Sequence, residues 1–251
     1  MARGQRLDLT LVERGLAAGR ERARALILAG RVLVDGQPAD KAGRAVPPDA
    51  AVSVRGEDLP YVSRGGLKLA EALTAFGIDP AGWVCLDVGA STGGFTDCLL
   101  QNGAERVYAV DVGYGQLAWS LRRDSRVIPI ERTNVRQMAP DALPERVDLI
   151  TIDVSFISLK IVIPAALPFL RPAGEVVALI KPQFEVGRGR VGKGGVVRDP
   201  ALHEAVLDQL GRFFEEAGLD CLGRIPSPIQ GPKGNREFLV HLRPKPPDGT
   251  G

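Results

Sequence analysis

The spacing of apolar residues changes along this chain, and the change separates two kinds of structure. Arg6 to Arg14 puts Leu7, Leu11 and Val12 on one face and stops at Gly15, which predicts a short helix. Arg20 to Ala29 repeats the pattern, with Ala23, Leu26 and Ile27 inward and Gly30 as terminator. Val32-Leu33-Val34 and Val52-Ser53-Val54 read as short strands, the first entering an Asp35-Gly36 turn. Residues 55–62 mix Gly, Pro and charge and read as a linker. From Ser63 a helix turns Leu69, Leu73 and Phe76 inward, and beyond it short apolar runs alternate with helical stretches. Strands are expected at 84–88, 107–111, 127–130, 147–153 and 176–180. Helices are expected at 95–100, from 113, at 161–170 (stopped by Pro172 and Gly174) and from Pro200 to Ala217. Segments 222–225 and 238–242 read as closing antiparallel strands. Continuous apolar strands alternating with helices predict an α/β fold with a mostly parallel sheet and right-handed crossovers.

The carboxyl ends of those strands carry charge. Asp87, Asp111, Asp153 and Lys181 all stand there, and ligands of such sheets collect at that edge. The first strand runs into Gly89-Ala-Ser-Thr-Gly-Gly94 and a helix. Glycines 89, 93 and 94 are expected to let a ligand approach the backbone, beside helix-start N–H groups that attract electronegative atoms. The spacing is neither the dinucleotide fingerprint nor a Walker A loop. Asp87 would repel phosphate but pair with an ammonium group, and an acid placed like Asp111 commonly takes ribose hydroxyls. Together they predict S-adenosylmethionine, against the alternative of a structural turn with a solvated aspartate. Ser91, Thr92, Phe95, Gln116 and Asp153 complete the expected pocket. Asn134 either meets the adenine edge or caps a turn.

Net charge is only +2 over 251 residues, so any nucleic-acid contact must come from local clusters. One lies between residues 14 and 31, where Arg14, Arg20, Arg22, Arg24 and Arg31 face a single acid, Glu21. Arg20 and Arg24 share a helix face; a merely solvated face is the rival reading. A second basic stretch, Arg188, Arg190 and Lys193 on glycine-rich backbone, suits a lid over RNA phosphates or a plain surface loop. Three cysteines without metal spacing suit reduced thiols in the cytoplasm and suggest no metal site. No apolar segment approaches a membrane span.

Arg6-Leu-Asp-Leu-Thr-Leu-Val-Glu-Arg-Gly-Leu-Ala, the arginine-rich second helix and Gly30-Arg-Val-Leu-Val-Asp-Gly36 resemble an S4 RNA-binding domain. That family docks on structured RNA through phosphates and shape. A lysine before the first sheet strand, an aspartate after the fourth, a lysine after the fifth and a glutamate opening the last resemble the Lys-Asp-Lys-Glu tetrad of RNA ribose 2′-O-methyltransferases. In this chain these are Lys68, Asp153, Lys181 and Glu237. With Tyr61-Val-Ser-Arg-Gly-Gly-Leu-Lys68, Ile152-Asp-Val-Ser-Phe-Ile-Ser158 and Lys181-Pro-Gln-Phe-Glu185 in order, the chain is similar to the TlyA, or haemolysin A-like, family over about residues 5–243.

The resemblance implies a Rossmann-like class I methyltransferase sheet with an antiparallel last strand at 63–245. A small α+β S4 domain at 1–56, a linker at 57–62 and a tail at 246–251 complete the expected organisation. It implies 2′-O-methylation of cytidine in ribosomal RNA of one or both subunits, with S-adenosylmethionine as cofactor, by a cytoplasmic protein expected to be a monomer. Lys181, desolvated and near a second cation, would take the ribose proton as general base. Asp153 and Glu237 would orient the amines. Arg6 and Arg64 join the expected RNA contacts, and Phe156 either stacks on an extruded base or belongs to the core. A nicotinamide dehydrogenase does not fit the loop spacing, a base amino-methyltransferase lacks its Asn/Asp-Pro-Pro-aromatic motif, and a membrane-lysing protein lacks its apolar segment. A non-catalytic RNA-binding protein is the remaining alternative, and it leaves the strand-end charges unexplained.

Overall fold

The computed structural model describes residues 4–17, 19–28, 30–55, 59–187, 189–192 and 194–246. The chain divides after Asp58 into two units, Met1–Asp58 and Leu59–Gly251.

The smaller unit runs β1 (Gln5–Arg6), α1 (Leu7–Glu13), α2 (Arg20–Leu28), β2 (Val32–Val34), β3 (Gln37–Pro38), β4 (Ala45–Val46) and β5 (Val52–Val54). Its three-stranded antiparallel sheet has the order β3-β2-β5, and β1 pairs with β4. Asp35 and Gly36 both take positive φ, +50° and +75°, which a two-residue hairpin turn of matching twist requires. Leu7, Leu11, Ala23, Leu26 and Ile27 pack on Val32, Val34 and Val46 to close a small core.

The larger unit runs α3 (Gly65–Phe76), β6 (Val84–Val88), α4 (Gly94–Gln101), β7 (Arg106–Val110), α5 (Trp119–Arg122), β8 (Val127–Ile130), β9 (Val147–Ile152), α6 (Leu159–Ala166), β10 (Leu170–Ile180), α7 (Pro182–Glu185), α8 (Pro200–Glu216), β11 (Leu219–Pro226) and β12 (Phe238–Pro244). One seven-stranded sheet orders them β11-β12-β10-β9-β6-β7-β8. β6, β7, β8, β9 and β10 pair in parallel, while β12 is antiparallel to both β10 and β11. β6 is buried at all five positions, as a central parallel strand covered on both faces must be. Leu159, Val162 and Ile163 of α6 and Val206, Leu207, Leu210 and Phe214 of α8 cover one face. Leu69 and Leu73 of α3, with Phe95, Cys98 and Leu99 of α4, cover the other. Each such side chain contributes about 1.5–3 kcal/mol on burial.

Helix ends follow local chemistry. Gly77 closes α3 in the left-handed conformation. Asp199 accepts from the Ala201 amide at 2.9 Å in front of Pro200, starting α8. Residues 59–62 belong to the larger unit: the Val62 amide donates to Asp97 Oδ2 at 2.7 Å, and Gln101 Nε2 donates to the Pro60 carbonyl at 2.9 Å.

Two expected helices come out differently. Residues 113–118 are irregular, and only Trp119–Arg122 is helical; Gly115, at φ +72°, interrupts the turn. The helix expected at 161–170 begins at Leu159 and ends at Ala166, followed by a single 3-10 turn at Leu167–Phe169. Pro172 and Gly174 then lie inside β10, where the pairing steps from Leu170–Val147 to Glu175–Leu149. They occupy a bulge, one of the few places a strand tolerates proline.

Candidate active site

Sheet order explains where a ligand can go. β7 and β8 leave β6 on one side, β9 and β10 on the other. That reversal opens a crevice above the carboxyl ends of β6 and β9. Register sets the level: Val88 faces Ile152, and Ile152 faces Ala178. Gly89, Asp153 and Lys181 therefore leave neighbouring strands at the same edge. β12 runs the other way, with Phe238 opposite Ile180, so Glu237, which precedes its strand, reaches the edge that the others reach by following theirs.

A cleft of about 790 Å³ opens there, and Lys68, Asp153, Lys181 and Glu237 all line it. Lys68 Nζ donates to Glu237 Oε2 at 2.5 Å, and the Glu237 side chain is fully buried. Glu237 Oε1 has no hydrogen-bond partner among the described residues. Lys181 Nζ lies 2.5 Å from Asp153 Oδ1 and donates to Ser155 Oγ at 3.2 Å. The Lys181–Asp153 approach is an ion pair without hydrogen-bond alignment, so Asp153 Oδ1 also keeps an unfilled acceptor position. Each buried amine thus has its own carboxylate, and each carboxylate keeps spare acceptor capacity. Buried charge is tolerated only in such pairs.

The loop after β6 departs from expectation in two respects. Asp87 does not line the cleft. It is fully buried, accepting from Thr96 Oγ1 at 2.7 Å and Thr151 Oγ1 at 3.1 Å. Burial pushes its carboxyl up to about 7, with the two hydroxyls opposing. The residue braces β6 against α4 and β9 instead of meeting an ammonium group.

The glycines, likewise, make room for protein. A Cβ on Gly89 would lie 2.5 Å from the Asp153 carbonyl, one on Gly93 2.2 Å from Leu121 Cδ1, and one on Gly94 2.3 Å from Ser63 Oγ. Gly89 and Gly93 also hold φ of +87° and +93°, which only glycine adopts without strain. Gly89, Ser91, Thr92, Gly94 and Phe95 line the cleft, while Gly93 does not.

Asp111, Ser91 and Gln116 gather beside that loop. Asp111 accepts from the Ser91 amide at 2.8 Å and the Gly113 amide at 2.6 Å, and Ser91 Oγ donates to Gln116 Oε1 at 3.3 Å. Each Asp111 oxygen keeps a second lone pair for a hydroxyl. Asn134 takes the second of its two expected roles, accepting from the Arg136 amide at 3.1 Å as a cap. Neither Asp111, Gln116 nor Asn134 lines the cleft itself. Exposed Val112 and Tyr114 follow Asp111 as an apolar shelf.

An aromatic pair, Phe156 and Phe184, lines the same cleft. Phe156 is 90% exposed at φ +64°, which overturns its reading as a core residue. Its ring lies 5.0 Å from that of Phe184. A bulky residue in the left-handed region is strained. Glu185 clamps the pair's base, accepting from Ser158 Oγ at 2.6 Å and the Leu159 amide at 2.8 Å. Sequence reasoning passed over Phe184, Gln183 and Ser155, all cleft residues; their place beside Lys181 and Asp153 was the available signal. It also missed Asn235, buried, which accepts from the Val197 amide and donates to the Gly195 carbonyl, tying the glycine-rich segment to the β12 approach.

Among the basic candidates, exposed Arg64 lines the cleft, as do Val191, Gly194 and Gly195. Arg190 is exposed but not a lining residue. Arg188 and Lys193 lie outside the described residues. In the smaller unit Arg14 donates to the Ala50 and Pro48 carbonyls at 2.7 and 2.8 Å, and Arg31 to the Arg55 carbonyl at 2.9 Å. These two hold loops, a structural role the charge count did not show. Arg22 is half-buried. Arg6, Arg20 and Arg24 converge on an acid outside the counted window, Asp8, whose side chain is fully buried.

Spare carboxylate acceptors at Asp111 and a cleft of about 790 Å³ beside the 89–95 loop fit a nucleoside-bearing cofactor. Residues 61–244 match the FtsJ-like methyltransferase family, and residues 5–52 the S4 domain. The chain is 51% identical to the 16S/23S rRNA (cytidine-2′-O)-methyltransferase TlyA of Mycobacterium tuberculosis, over 97% of this chain and 91% of that protein. It is 41% identical to hemolysin A of Brachyspira hyodysenteriae, over 94% and 99%. A solved structure of a candidate hemolysin from Streptococcus thermophilus superposes with a TM-score of 0.74 at 44% identity, covering all of this chain and 93% of the other. No helix among the described residues is long and apolar enough to cross a membrane.

Proposed function

The chain belongs to the FtsJ-like methyltransferases, within the S4-containing TlyA family, and from that premise we propose that it methylates the ribose 2′-hydroxyl of cytidine in ribosomal RNA. The observation that carries this reading is the convergence of Lys68–Glu237 and Lys181–Asp153 in one cleft. An enzyme modifying a base nitrogen or carbon has no use for two buried amines beside the reacting group. A ribose hydroxyl does, because it is a weak nucleophile that must shed its proton.

S-adenosylmethionine, when bound, supplies an electrophilic methyl group on a cationic sulfur. On this reading Asp111 holds ribose hydroxyls of the cofactor, and the 89–95 loop shapes its seat. Lys181 is the proton acceptor. Asp153 and Ser155 fix its Nζ. Lys68, held by Glu237, orients the substrate hydroxyl through its remaining donors. Holding an attacking group in place is worth up to about 7–11 kcal/mol. Phe156 and Phe184 offer stacking faces for a base turned out of its helix, and Arg64 a cation for the adjoining phosphate. The S4 domain supplies docking to structured RNA, and the protein works in the cytoplasm, where ribosomal RNA is.

The test is transfer of labelled methyl groups from S-adenosylmethionine to ribosomal subunits, followed by mapping of the modified position. Label on a cytidine 2′-oxygen is expected. Label on a base, or bound RNA with no transfer, overturns the reading; the second outcome would leave a non-catalytic RNA-binding protein.

A further inference from the structure

Asp8 sits in the first turn of α1 with no side-chain exposure, and three arginines close on it, Arg6 from β1 and Arg20 and Arg24 from α2. Arg6 grips it with two donors, Nε at 3.0 Å and Nη2 at 3.1 Å. Arg20 and Arg24 reach it through Nε alone, at 2.9 and 3.2 Å. Arg6 hydrogen bonding, ahead of Arg20 and Arg24 and against the cost of burial, holds the carboxyl well below the usual carboxylate range. It therefore stays charged. Neutralising one carboxylate needs one guanidinium; this site has three, each about half exposed. Two positive charges are in surplus, and the Nη groups of Arg20 and Arg24 carry no partner among the described residues.

We propose that Asp8 is a positioning residue that sets Arg6, Arg20 and Arg24 as a fixed fork for an RNA backbone phosphate. Anchoring Arg20 and Arg24 by Nε alone leaves their Nη ends for phosphate oxygens, while Arg6, held by Nε and Nη2, keeps Nη1 for the same use. A free arginine side chain would lose rotamer freedom on binding; here the carboxylate has already ordered it. This inference rests on the reading of the chain as an RNA methyltransferase.

The prediction runs opposite to simple electrostatics. Asp8→Asn removes a negative charge from a basic surface, so a surface acting by net charge alone would bind RNA more tightly. A fork that depends on Asp8 binds it more weakly, by about tenfold, with a salt slope smaller by about one for each phosphate no longer held. The experiment is filter binding of the full chain to purified ribosomal RNA over a potassium chloride series, with circular dichroism to check folding. If Asp8→Asn does not fold, the double variant Arg20→Lys/Arg24→Lys decides. It keeps Asp8 and every charge but loses the guanidinium edges, and weaker binding is again expected. Tighter or equal binding by folded Asp8→Asn, or unchanged binding by the lysine pair, overturns the inference. Wild-type protein that transfers no methyl group to ribosomal RNA sinks the enzymatic reading instead, and the two failures are read separately.

Discussion

Lys68 and Glu237 meet at 2.5 Å across 169 residues of sequence, on opposite sides of the 89–95 loop in chain order. The contact spans the methyltransferase fold from its first helix to its last strand. Removing one member of a buried pair leaves the other uncompensated. Glu237→Ala is accordingly expected to cost about 3–5 kcal/mol of stability and to abolish transfer. A thermal melt alongside a transfer assay checks both. A variant as stable as wild type would show that Lys68 finds another partner.

Lys181→Ala is expected to lower the transfer rate by about 10²–10⁴-fold, the usual contribution of a positioned general base. Affinity for S-adenosylmethionine, measured by titration calorimetry, should stay within a few-fold of wild type. Full turnover would remove Lys181 from the proton-transfer role.

Phe156 supports no core, since nine-tenths of it is exposed. Phe156→Gly should therefore leave the melting temperature unchanged or raise it, because glycine takes φ +64° without strain. The same change should raise KM for RNA if the ring stacks on a base, an interaction worth about 1–3 kcal/mol. Steady-state kinetics with intact ribosomal RNA separates the two effects.

Asp87 gives a pH signature. Its carboxyl moves from an ordinary 3.8 to about 7 on folding, so between those values the folded protein holds a proton that the unfolded chain has lost. Stability from this group is full below the lower value and falls as pH rises towards the upper one. Asp87→Asn should flatten that fall and melt higher than wild type above pH 7. Melting curves across a pH series test it; a wild-type curve that rises through the window, or an Asn variant with the same slope as wild type, counts against the raised carboxyl.

Sequence showed the strand ends well and the glycines poorly. Asp153 and Lys181 follow long apolar runs, so their level at one edge could be read from strand length alone. Asp87 follows the same pattern, yet its oxygens belong to Thr96 and Thr151. Nothing local distinguishes a strand-end acid facing a ligand from one facing hydroxyls nine and 64 residues away. Gly93 signals a positive φ, but not that Leu121 lies where its side chain would go. Asp8 was hidden for a similar reason: its partners Arg20 and Arg24 come from the next helix, and a charge count that began at residue 14 left it out. The α6–β10 boundary was misplaced because Pro172 and Gly174 end helices and fill bulges equally well, and only pairing with β9 decides between them.

The inverted direction of β12 has a consequence for biosynthesis. Because this strand follows β10 and β11 in the chain yet lies between them in the sheet, its slot stays empty until every other strand of the sheet has been made, and until then the nascent product holds Lys68 without its counter-ion. Competence arrives in one late event, when the final hairpin closes. Premature stop codons even a few residues upstream of Glu237 should yield polypeptides that retain the nucleoside seat yet never acquire chemistry.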